Sequence, residues 1–144
     1  MFSFWSILRI IYSIAFTLLF LYCTQFITSI EEKKKCSLSE GWRITNGKII
    51  GSILMIIGII NICLPASKFL ASLPIIGSSY VLIFALAIFG ELFIVNRLAV
   101  KIDESTSSKC KLKGYNTLID IFSSIGVTEC IYITIIISVI FLYL

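Results

Sequence analysis

Few side chains in this sequence are placed to do chemistry. One carboxylate, Glu91, lies well inside a long apolar run, and the chain has no histidine. Without imidazole there is no histidine-held haem, zinc or di-iron centre, and the commonest general base is missing. Five cysteines stand at 23, 36, 63, 110 and 130, and no two form Cys-x-x-Cys. Neither a zinc knuckle nor an iron–sulfur site is therefore indicated. A phosphate-binding Gly-rich loop, carboxylates paired at a working separation and a nucleophile with a recognisable base are equally missing. The expectation is no enzyme, no metal and no cofactor, with phospholipid the one bound molecule the sequence leaves room for.

A charge near the middle of a bilayer costs about 2.5–3.5 kcal/mol on insertion scales. Glu91 must therefore be neutral, or meet a partner or water. Stepping 100° per residue puts Gly77, Tyr80, Phe84, Ile88, Glu91 and Val95 on one side of a helix, with Tyr80 about 16 Å from Glu91 along the axis. That is too far for a hydrogen bond. Two roles compete: a proton or cation site in a transporter, or a packing contact to hydroxyls of a neighbouring helix or to a basic residue of another subunit. The packing role is the expectation, because transport needs several converging polar groups and only one carboxylate is deep.

Neighbouring helices offer partners. Ser13, Thr17, Thr24 and Thr28 form a hydroxyl stripe able to bond across helices, while Gly47, Gly51 and Gly58 share a face with Asn61 close by. Small residues let backbones approach, so intramolecular packing is expected here rather than a dedicated homodimer motif. The candidate intramembrane polar and packing set is Glu91, Asn61, Gly51, Gly58, Thr17 and Thr24. Glu129, at the start of the last apolar run, is expected to pair with a lysine or reach for the interface.

The elements that must position these residues follow from composition. Of 144 residues, 58% are hydrophobic and 14% charged, with a mean hydropathy of +1.04. A soluble domain has about 45–50% and about 25%, so an all-α integral membrane protein is expected. A span needs about 20 apolar residues. Four stretches qualify, at about 10–30, 45–64, 74–97 and 126–144, making one four-helix transmembrane domain over 1–144. Met1 to Leu8 reads as a headgroup-level segment before an uncleaved first helix. Pro65 and Pro74 bracket a tight turn, with Pro74 opening the third helix. Residues 115–125 gather Asn116, Asp120, Ser123 and Ser124 on one side and Leu118, Phe122 and Ile125 on the other. This pattern gives an interfacial amphipathic helix bending at Gly126, or else the wet first turns of one long fourth helix.

Ten of the twelve basic residues fall in loops 31–48 and 97–114, among them Lys33, Lys34, Lys35, Lys109, Lys111 and Lys113, which are candidates for lipid head-group or loop contacts. Only Arg9 and Lys68 lie on the other side. By the positive-inside rule, both loops face the cytoplasm or matrix and both termini lie opposite, with the mitochondrial inner membrane slightly favoured. Acidic neighbours Glu31, Glu32, Asp103 and Glu104 make these solvated loops rather than a nucleic-acid patch. Cys36 and Cys110 then sit on a reducing side as free thiols, whereas Cys23, Cys63 and Cys130 act as small apolar residues.

The glycine-bearing second helix and the run Phe-Gly-Glu-Leu-Phe at 89–93 resemble, over residues 47–98, the DoxX-like four-helix membrane proteins. That resemblance implies the span count and carries no function; Leu54 stands where such sequences tend to have an acidic residue. Claudin-type tetraspans would need a cysteine pair in the first loop, where this chain has Cys36 alone. The functional expectation is a non-catalytic structural or accessory subunit of a larger respiratory-type, organelle or virion membrane complex, with other membrane subunits and lipids as partners. A small oligomeric proton or cation transporter using Glu91 is the alternative, and a membrane-protein assembly factor a third.

Overall fold

A computed structural model describes residues 4–32, 41–64, 66–104 and 114–143. They form six helices: α1 (Phe4–Glu32), α2 (Trp42–Cys63), α3 (Ala66–Ser72), α4 (Ile76–Glu104), α5 (Asn116–Ser124) and α6 (Val127–Tyr143), with no strand among the described residues. Three of these, α1, α2 and α4, are long and apolar enough to cross a membrane. A fourth crossing exists if α5 and α6, bent by 105° at their junction, count as one broken span.

Helices α1 and α2 run antiparallel along a shared stripe. The buried positions of α1 are Ser13, Phe16, Phe20, Cys23, Phe26, Ile27 and Ile30; those of α2 are Ile44, Gly47, Gly51, Leu54, Gly58 and Asn61. Apart from Phe26, both follow alternating steps of three and four, the periodicity that keeps one seam facing a partner helix. Three glycines on the α2 stripe bring the backbones together. In lipid, where tails are as apolar as leucine, such close packing rather than solvent exclusion holds helices together.

Helix α4 is the centre of the bundle. Its buried residues include Phe84, Ile88, Glu91, Leu92, Ile94, Val95, Asn96, Leu98 and Ala99, so its second half is covered on most sides. An aromatic cluster ties its first half to α1 and α6: Phe16 lies 4.5 Å from Phe141 and 6.0 Å from Phe84, with Phe84 and Phe141 5.1 Å apart between ring centroids. Each such pair adds about 0.5–1.5 kcal/mol beyond area burial. Among its described side chains helix α6 buries Cys130, Thr134, Ser138 and Phe141, and beyond Glu129 the rest of its circumference is apolar, as a lipid-exposed helix is.

Several boundaries differ from the sequence expectation. Residues 4–9 are not a separate interfacial segment but the first turns of α1, since neither glycine nor proline interrupts Phe4 to Ile10. The 65–73 connection is not a bare tight turn: it contains α3, and Pro65 itself lies outside the described residues. Pro74 does not open the third long helix. It sits in a turn with Ile75, whose φ of 63° is the left-handed conformation, and the Ile76 and Gly77 amides donate back to Pro74 O (2.6 Å) and Leu73 O (2.9 Å). Gly77 is required there because a Cβ would press on the Ala71 carbonyl oxygen.

The 115–125 segment is a helix separate from α6. It buries Leu118, Ile119 and Phe122 and exposes Asn116, Asp120 and Ser124, so the reading as wet turns of one long straight helix is set aside. Gly126 marks the bend.

Candidate functional site: a polar seam inside the bundle

Four side-chain contacts lie along the stripe where α1 meets α2, two of them also reaching α4. At one end Asn61 Nδ2 donates to Ser13 Oγ across the pair at 3.0 Å, both residues buried. Next, Gly58 faces Thr17 and Phe16; a Cβ there would fall on Thr17 Oγ1 and stand 3.1 Å from Phe16 Cδ1. Further along, a Cβ on Gly51 would overlap Thr24 Oγ1 and stand 2.8 Å from Glu91 Oε1. Gly47 faces Ile27 and Ile94. The glycines are thus the empty places that the threonine hydroxyls and the Glu91 carboxyl fill.

Glu91 itself is wholly buried. Neither carboxyl oxygen has a hydrogen-bond partner among the described residues. The Thr24 hydroxyl, which meets the same empty place at Gly51, gives its proton to Phe20 O at 2.7 Å, so it offers the carboxyl no donor. Helix α4 runs on to Glu104, which puts Glu91 next to the helix midpoint, yet Arg97 follows only six residues later, about 9 Å along the axis. On the facing helices Lys48, three residues from Gly51, pairs with Glu31 at 2.8 Å. Glu91 therefore lies less than two turns below a charged rim.

The hydroxyl stripe of α1 does less between helices than its spacing suggested. Thr17, Thr24 and Thr28 each donate to the carbonyl four residues back, at 2.8, 2.7 and 2.9 Å. A threonine in a helix has this acceptor always at hand, whereas a cross-helix acceptor needs the right register. Only Ser13 is engaged across the pair. Glu129 accepts the Gly126 amide at 3.0 Å, capping the start of α6, where an acidic group meets unpaired N–H groups and the positive end of the helix dipole; the lysines of the 105–113 stretch that could pair with it lie outside the described residues.

Asn96 is the residue that sequence reasoning missed. Buried at the second half of α4, it donates through Nδ2 to Phe122 O and to Ile125 O (2.6 Å). These carbonyls belong to the last turn of α5 and to the break, where no amide four residues on can reach them. An asparagine at the end of an apolar run flags a buried amide, but its acceptors are backbone groups more than 25 residues away, which no side-chain pattern reveals.

The basic side is partly visible. Arg43 and Lys48 belong to α2, and Arg97 and Lys101 to α4. The proposed contacts at Lys33, Lys34, Lys35, Lys109, Lys111 and Lys113, with the thiols of Cys36 and Cys110, lie outside the described residues. Cys23 and Cys130 are buried free thiols, and Cys63 is an exposed one. Among the described residues no group of three or more His, Cys, Asp or Glu could hold a metal ion.

No protein-family model, curated protein or solved structure matches this chain. The likeness to DoxX-like proteins is accordingly one of hydropathy.

Proposed function

We propose that the chain is a non-catalytic, membrane-embedded accessory subunit, serving as a packing body for other membrane proteins in a larger complex. The observation that carries this reading is how the polar groups within the long helices are used. Ser13, Asn61 and the threonines of α1 bond to one another or to backbone, while Asn96 holds a helix end. What faces outward is apolar: Ile49, Ile53, Ile56 and Ile60 on α2, Leu82, Ile83 and Leu86 on α4, Ile131, Ile135 and Ile136 on α6. Such a surface suits lipid tails and the apolar faces of other helices alike. The positive-inside bias favours the cytoplasm or matrix for the end of the bundle that carries Arg43, Lys48, Arg97 and Lys101. Isolation of tagged protein from its native membrane in mild detergent tests the proposal: membrane proteins at fixed stoichiometry are expected with it, and a stable, partner-free monomer would sink it.

The second reading, a proton or cation pathway through Glu91, draws on one observation, the two unpartnered carboxyl oxygens. An intramembrane carboxyl is a functional candidate by default. The close glycine and threonine packing around it favours the scaffold.

A further inference from the structure

A groove of about 260 Å³ lies between α4 and α6, lined by Leu82, Ala85, Leu86, Phe89, Ile131, Thr134 and Ile135. Its one hydroxyl is already spent, since Thr134 Oγ1 donates to Cys130 O at 2.7 Å. The groove continues along α4 as a ladder of rings. Phe89 stacks on Phe93 with centroids 5.9 Å apart and planes inclined by 21°, and the Arg97 guanidinium carbon lies 5.1 Å over the Phe93 ring. Helical side chains lean toward the N-terminus, so Arg97 leans back toward the groove. Arg97 is exposed, and the N–H fork of a guanidinium matches the oxygens of a phosphate.

The spacing fits one occupant. Phe89 and Leu82 lie eight and fifteen residues before Arg97, about 12 and 22 Å along the axis. One leaflet of a hydrocarbon core roughly 30 Å thick is about 15 Å deep. A lipid phosphate at the level of Arg97 therefore places its acyl chain beside Phe93 and the methyl-bearing part of that chain in the groove. On α6, Glu129 falls about 160° around the helix from Ile131 and is turned to the Gly126 amide, so it does not oppose an anion there. The geometry points to a bound phospholipid with a net negative headgroup, its phosphate held by Arg97 and one tail seated between α4 and α6. This inference rests on the chain being in a membrane and is independent of whether it has partner subunits.

The test is native mass spectrometry of the full chain, delipidated in mild detergent and titrated with dioleoyl phosphatidylglycerol or dioleoyl phosphatidylcholine. Phosphatidylglycerol adducts should exceed phosphatidylcholine adducts about fivefold, the attraction one arginine supplies near a membrane surface. Arg97→Gln should bring the ratio to about one, and Arg97→Lys should keep most of it. Ala85→Phe, which fills the groove, should lower adducts of both lipids. Dihexanoyl phosphatidylglycerol, with the same headgroup but tails too short to reach Phe89, should bind several-fold more weakly than the dioleoyl lipid, and this arm needs no variant to fold. Equal binding of the two headgroups, a preference that survives Arg97→Gln, or equal binding of short and long tails would each overturn the proposal. So would an Ala85→Phe protein that keeps its lipid but sheds a co-isolated subunit, since the groove would then be a helix-docking site.

Discussion

Glycine does two different jobs in the long helices. At Gly51 the missing side chain is occupied by neighbours, Thr24 Oγ1 and Glu91 Oε1. At Gly90, one residue before Glu91, a Cβ would meet only Ile50 Cδ1 at 3.8 Å, an ordinary contact. Overfilling a packed site costs about 1–3 kcal/mol, whereas relieving a helix-interior glycine gains about 0.5–1 kcal/mol. Gly51→Ala should therefore lower, and Gly90→Ala raise, the midpoint of thermal unfolding in detergent; the reverse order would contradict the packing described. The first of these sites was legible in the sequence, because Gly47, Gly51 and Gly58 recur on one helical face. What their neighbours do was not. The threonines of α1 have the right spacing to bond across the seam, but they turn to their own backbone, a choice set by register between helices that a single-chain pattern does not contain.

At the scale of elements, the long helices were legible because apolar length alone demands them, and the amphipathic α5 because its two faces differ in polarity. Boundaries moved where hydropathy is silent. Helix α4 runs seven residues past its expected end at 97, since 98–104 holds no glycine or proline and Leu98, Ala99, Lys101 and Glu104 are good helix formers that continue beyond the apolar core. Helix α3 is short and sits between two prolines, so it carries neither a span-length nor a periodic signal. The junction of α5 and α6 is held from both sides, by Asn96 on the carbonyls of Phe122 and Ile125 and by Glu129 on the Gly126 amide. Leaving a buried acceptor unpaired costs about 1–3 kcal/mol. Asn96→Ala should accordingly speed amide hydrogen exchange in 116–130 by at least tenfold, with α1 and α2 unchanged. Uniform exchange across the chain would show that Asn96 does not secure the bend.

For the molecule as a whole, α1 and α2 form a tightly meshed pair, α4 is the hub, and α6 closes one side by a single stripe. Apolar surface surrounds this body, and a charged rim that includes Lys48, Glu31, Arg97 and Lys101 marks one end. Polar side chains inside mostly serve as joints, but Ser138 and Glu91 have no hydrogen-bond partner among the described residues, and of the two only Glu91 is ionisable. That makes it the point where a scaffold and a proton pathway give opposite results. Proton flux into liposomes carrying the purified chain under an imposed pH gradient measures the difference most directly. The scaffold account predicts the same flux as protein-free vesicles, for the wild type and for Glu91→Gln alike. Protein-dependent flux that vanishes in Glu91→Gln would contradict it.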